Sequence, residues 1–95
     1  MYTSISCEDL RNLIGKVEII DIRDNYLYRL GAIPTSKNIP ANFLLMEPSK
    51  YLDKDKTYYI YCTFGMQRTK ACANLSNNVY HVINVLGGYN SYFKF

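Results

Sequence analysis

Three short apolar runs, VEIIDI at 17–22, TYYIY at 57–61 and YHVINV at 80–85, are separated by stretches that read as helices. This alternation constrains the fold more than any other feature. Runs continuous in Val, Ile and Tyr suit strands buried on both faces. Strand, helix and strand in succession imply a parallel sheet covered by helices, the α/β class. Ligand sites in such sheets collect beyond the carboxyl ends of the strands. The residues just past each run are therefore the first place to look for chemistry.

The remaining elements follow from local signals. Ser6 ahead of CEDLRNLI reads as a helix cap, with Glu8 and Asp9 in the favourable first turn, Leu10, Leu13 and Ile14 apolar, and Gly15 and Lys16 as the stop. DNYLYRLG predicts a short helix ended by Gly31, and AIPTSKNIP a brief strand at 36–39 between two turns, bounded by Pro34 and Pro40. ANFLLM reads as a short helix, PSKYLDKDK as a polar connector, RTKACANLSNN as a helix, and LGGYNSYFKF as a glycine-rich turn with a short terminal helix.

Ninety-five residues with 48% apolar content fit one domain over 1–95. No apolar run is long enough to cross hydrocarbon, and MYTSISCEDL has neither a basic nor an apolar leader region, so the chain reads as soluble, unexported and without a membrane partner. Cys7, Cys62, Cys72 and the single His81 form no metal-ligand spacing, and an odd cysteine count argues against a disulfide framework. The expected compartment is reducing, the cytoplasm, and no metal or organic cofactor is expected. A net charge of +3 without a Lys/Arg stripe does not describe a nucleic-acid binder. After Asp55, however, come Lys56, Arg68, Lys70 and Lys94 with no acidic residue, which favours small anions near the second half.

Cys62 follows the central strand run directly, and residues 63–67 lead into a helix. Loop and helix-end amides aimed at this position would bind an anion and favour thiolate over thiol. A free cysteine with a pKa near 8.5 is about 3% ionised at neutral pH, and such a setting lowers that pKa to roughly 3.5–7.5. Gly65 permits an amide-inward curve, Arg68 can grip an oxyanion, and Phe64 and Met66 give the loop an apolar outer surface. Thr63 and Gln67 complete the expected substrate-binding loop. Against this stands the plain reading of cysteine as a buried space-filler. The same plain reading is preferred for Cys72 as core, Lys70 as surface and His81 as an ordinary strand residue.

The motifs IIDIRD, LGAIPTSKNIP, YYIYCTFGMQRTKA and VINVLGGYNSYF occur in one order over nearly the whole chain. In that order they resemble a single-domain rhodanese-like protein. The resemblance implies a three-layer sandwich with a central, mainly parallel five-stranded sheet flanked by helices. It carries the family's nucleophile to Cys62, its loop glycine to Gly65, and its Asp-x-Arg pair to Asp21 and Arg23, expected to set nearby loops and to pair with a carboxylate or hold the rim. It also implies sulfur transfer from thiosulfate or a related small anionic donor, through a Cys62 persulfide, to cyanide or a cellular thiol, with a sulfur-relay protein as a further partner. Departures are Ala32 for a frequent His, Thr35 for a frequent Gly, Gln67 for a frequent Arg, and Phe93 near a frequent Trp.

Cys62 and Arg68 also make the Cys-x5-Arg pattern of cysteine-based phosphatases, some of which share this fold. No Asp or Glu lies in CTFGMQR to protonate a leaving group, although Asp21 or Asp24 could approach from another loop. Phosphatase or arsenate-reductase activity and a noncatalytic binding module are the alternative readings.

Overall fold

The computed structural model describes residues 2–63 and 66–93, the side chains of 66–68 excepted. Its elements run β1 (Thr3–Ile5), α1 (Cys7–Arg11), β2 (Glu18–Asp21), α2 (Asn25–Leu30), β3 (Lys37–Asn38), α3 (Ala41–Met46), a 3-10 turn (Pro48–Lys50), β4 (Thr57–Tyr61), α4 (Met66–Asn77), β5 (His81–Val85) and α5 (Gly88–Phe93). The strands form one five-stranded sheet in the order β1-β5-β4-β2-β3. Every neighbouring pair is parallel.

The expected strands at TYYIY and HVINV stand as read, and Ser6 caps α1 by accepting from the Asp9 amide at 3.1 Å. Three details differ. The segment before Ser6, to which sequence reading assigns no element, contributes β1, an edge strand whose TSI sequence has no buried member to reveal it. α1 ends at Arg11 instead of continuing through NLI, because Asn12 and Leu13 turn back onto Asp9 and Leu10. The polar connector after α3 contains the 3-10 turn, with Pro48 at its start.

Alternation along the strands divides the core in two. On one face Ile20, Ile60, Val82 and the following Ile22 and Cys62 pack with Leu44 of α3 and Ala71, Cys72 and Leu75 of α4. On the other, Ile19, Tyr61 and Val85 pack with Cys7 and Leu10 of α1 and with Tyr89 and Tyr92 of α5. The three layers are thus the α3/α4 side, the sheet and the α1/α5 side.

Tyr61 is fully buried, and its hydroxyl is shared between the Ile33 amide at 3.1 Å and Ser36 Oγ at 3.0 Å. It thereby ties β4 to the segment before β3. Burial drives its phenol pKa above the ordinary tyrosine value, outweighing the Ser36 and Ile33 hydrogen bonds that favour phenolate. Thr35, in the same segment, has a φ of 68°, a left-handed conformation that a β-branched residue adopts only under strain. The frequent glycine of related sequences would occupy it without a Cβ clash.

Two predictions follow from this segment. Thr35→Gly removes a left-handed penalty of about 1–2 kcal/mol and adds about 0.5–1 kcal/mol of unfolded-chain entropy, so urea denaturation should show a net gain near 1 kcal/mol. For Tyr61 the unfolded phenol ionises near pH 10 while the folded one stays neutral, so the unfolded state binds fewer protons above that pH. The Tyr61 contribution is therefore complete below about pH 10 and lost as pH rises beyond it. Tyr61→Phe should cost about 1–3 kcal/mol at neutral pH by orphaning the Ile33 amide. Its urea midpoint should fall less steeply than that of the parent between pH 9.5 and about 11; parallel slopes would contradict the assignment.

Candidate active site

β3 lies on one side of β2 and β4 on the other, so the chain reverses its direction of travel across the sheet between β2 and β4. Open parallel sheets bind ligands beyond such a switch point. Cys62 is the first residue past β4, and α4 begins at Met66. Its side chain points to the α3/α4 side and is 3% exposed. Cys7, Cys62 and Cys72 are all outside disulfides. Thr63 is half-buried beside it. Phe64 and Gly65, and the side chains of Met66, Gln67 and Arg68, lie outside the described residues, and with them the expected amide cradle and the Arg68 contact.

The backbone of Cys62 is held from the other side of the sheet. The first amides of α5 point at the end of β4: Tyr89 N donates to the Cys62 carbonyl at 2.7 Å and Asn90 N to the Thr63 carbonyl at 3.2 Å. This approach requires glycine. Gly88 has a φ of 60°, and a Cβ there would collide with the Cys62 carbonyl oxygen and lie 2.9 Å from that of Thr63. α5 is in turn fastened to α1. The Arg11 guanidinium lies 4.2 Å from the Tyr92 ring centroid and donates to the Tyr92 carbonyl at 2.7 Å. The buried Cys7 thiol donates to the carbonyls of Leu86 and Gly88, each at 3.5 Å.

Asp21 and Arg23 sit at the end of β2, next to β4, with Asp21 in register with Tyr61. Both are buried, and Asp21 shares the α1/α5 side with Tyr61. The structure thus does not bring this pair to the thiol. Asp21 Oδ1 accepts from the Arg23 amide at 2.8 Å, and the guanidinium binds both carboxylate oxygens at 2.7–3.1 Å. Arg23 Nη2 also donates to the Gly31 carbonyl at 2.6 Å. Asn38 Nδ2 bridges the Asp21 and Arg23 carbonyls at 3.0 and 2.9 Å. Burial opposes the arginine charge, but the Asp21 hydrogen bonds and Coulombic attraction outweigh it and raise the guanidinium pKa. The pair reaches Cys62 indirectly, because Arg23 stacks 4.3 Å from the centroid of Tyr89, whose amide holds the Cys62 carbonyl.

Other candidates fall away from the thiol. His81 is exposed at the start of β5, the opposite pole of the sheet, in register with Thr57. Lys70 is exposed on α4 and Cys72 is fully buried in the core. Two concavities of about 540 and 560 Å³ also open at that far pole, around Tyr80 with His81 and Thr57 in one and Tyr51 and Lys54 in the other. Among the described residues no group of three His, Cys, Asp or Glu side chains could hold a metal ion, and no helix is long and apolar enough to cross a membrane. Sequence reading quoted Gly88 and Tyr89 only as part of a closing turn. Their role in fixing Cys62 emerges from the backbone contact, which the GG pair alone does not specify.

Gly88→Ala tests that contact. The left-handed φ and the collision with the Cys62 carbonyl together should cost at least about 2 kcal/mol in urea denaturation and change the alkylation rate of Cys62. A stable variant with an unaltered thiol would show that α5 does not support the Cys62 backbone.

The Rhodanese-like domain family matches residues 6–94 of the chain. A sulfurtransferase of Allochromatium vinosum is 30% identical over 93% of this chain and 85% of its own length. The tRNA uridine(34) hydroxylase of Buchnera aphidicola is 26% identical over 97% of this chain, which spans only 32% of that protein. Among solved structures, a rhodanese-related protein from Thermoplasma volcanium matches with a TM-score of 0.88 at 32% identity, covering 98% of this chain and 92% of that one. Together with the parallel sheet, its strand order and a cysteine at the end of β4, these matches establish that the chain belongs to the rhodanese-like domain family.

Proposed function

We propose that the protein is a sulfurtransferase in which Cys62 carries the transferred sulfur. The observation that carries this reading is the place of Cys62, just past β4 at the switch point, with its carbonyl fixed by Tyr89 N and α4 starting four residues later at Met66. A side chain 3% exposed in so short a strand-to-helix turn suits a donor that offers a single sulfur better than a phosphorylated side chain. The sulfurtransferase of Allochromatium vinosum, matched over most of both chains, supports the same class.

With thiosulfate as donor, the Cys62 thiolate attacks the outer sulfur. A new S–S bond forms, the old one breaks, and sulfite leaves with its electron pair. An acceptor thiolate or cyanide then attacks the outer sulfur of the persulfide and releases the Cys62 thiolate. The cycle is redox-neutral overall and consumes no cofactor. The absence of acidic residues after Asp55 favours both the sulfonate oxygens and the terminal sulfur anion. A small thiol or a relay protein's cysteine is the acceptor, and a reducing compartment keeps Cys62 competent between turnovers.

Incubating the reduced protein with thiosulfate should add one sulfur atom to Cys62, release sulfite in equal amount, and reverse on addition of a thiol. Intact-mass analysis reads all three states, and Cys62→Ser should show none of them. Persistent absence of the adduct in folded, reduced protein would overturn the thiosulfate assignment. Hydrolysis of an aryl phosphate through a phosphocysteine would replace it with the phosphatase reading.

A further inference from the structure

Two buried side-chain atoms among the described residues have no hydrogen-bond partner, Arg11 Nε and Asn84 Oδ1. Only Asn84 lies on the nucleophile's side of the sheet. Val82, two residues earlier on β5, belongs to the same core as Cys62, whereas Val85 belongs to the opposite one. Alternation therefore turns Asn84 toward the α3/α4 side. It is paired in register with Ile60 of β4 and Ser4 of β1, so it stands one row behind Cys62. The spacing and rise of parallel strands place the two Cα atoms about 8 Å apart, with both side chains on one face.

Asn84 is 4% exposed, and among the described residues its side-chain hydrogen bond runs outward, from Nδ2 to Ser4 Oγ at 3.3 Å. Leaving the inner end of a buried amide unpaired costs about 1–3 kcal/mol, and an apolar residue of similar size would avoid it. An orphan of this kind calls for a use. Ser4 is exposed, and a hydroxyl both donates and accepts, so the carboxamide can rotate by half a turn and keep its outer bond. One orientation presents a carbonyl to the interior and the other an NH2 group. The surrounding core contains the titratable side chains of Tyr58 and Tyr80, with Cys72 from α4, and the buried charged residues described, Asp21 and Arg23, lie on the other side of the sheet. In such surroundings an amide dipole acts on a nearby charge with little screening.

We propose that Asn84 donates a hydrogen bond to the sulfur on Cys62 in its charged forms, thiolate and persulfide, turning its carbonyl inward when the sulfur is a neutral thiol. This assignment rests on Cys62 being the sulfur carrier and adds a second side chain, from a different strand, to that site.

Asn84→Leu separates this role from a structural one. It removes the orphan, so the urea midpoint should hold or rise. Alkylation of Cys62 by iodoacetamide, mapped by peptide mass, and uptake of sulfur from thiosulfate should both slow by about ten- to a hundredfold, the worth of one hydrogen bond to a charged group. Parent-like rates, or rates that fall together with stability, would overturn the proposal. Should the parent protein take no sulfur from thiosulfate while the variant still alkylates slowly, the thiosulfate assignment fails and only the thiolate part of the Asn84 assignment stands. If the leucine variant does not fold, the parent protein decides: the Asn84 side-chain NH2 signals in 1H–15N spectra should shift when Cys62 ionises or is persulfidated. Unmoved signals alongside shifted Cys62 and Thr63 amides would overturn it.

Discussion

A strand that ends inside a protein leaves carbonyls without ladder partners, and a helix that begins there leaves amides without acceptors. Here the two deficits are set against each other: the first amides of α5 satisfy the carbonyls of Cys62 and Thr63. The approach is so close that the residue between them has no room for a side chain. Much of the α1/α5 side secures this contact. Arg11 and Cys7 hold α5 from α1, and Arg23 holds it from β2 through the Tyr89 ring. The position of Cys62 is therefore a property of the whole far side of the sheet.

The sheet also separates charge from chemistry. The buried Asp21–Arg23 pair, the Tyr61 hydroxyl and the stacked tyrosines face α1 and α5. Cys62 faces an apolar layer from α3 and α4. Arg23 is neutralised by a carboxylate that it binds through several hydrogen bonds, and removal of either partner would strand a buried charge at about 3–5 kcal/mol. Its contribution to the site is mechanical. The buried Asn84 amide, by contrast, lies on the same side of the sheet as Cys62.

Most of the architecture was legible in the chain, for physical reasons that differ by element. β4 is central and buried on both faces, so its apolar run is continuous, and the Ser6 cap has a side chain whose chemistry admits few other uses. β1 was not legible, because a three-residue edge strand with exposed Thr3 and Ser4 is held by its neighbour β5 and not by its own sequence. Cys62 could be placed from strand-then-helix order alone. The contacts of Gly88 and Tyr89 with Cys62 could not, since they depend on which residue of another element stands opposite, a property of the assembled fold. Thr35 was read as a departure from a frequent glycine, and its left-handed backbone supplies the reason glycine is frequent there.

The fastening of α5 to α1 joins residues 79–81 positions apart. β1 likewise pairs with β5 and with no other strand. Contacts this distant in sequence form late, because the intervening chain has to be ordered before they are rewarded. A chain leaving the ribosome in order holds Thr3–Ile5 without its partner until His81–Val85 has emerged. The turn that carries Cys62 acquires its backing helix at the same late stage, so the half-made protein leaves the edge of β4 open before it possesses a supported thiol.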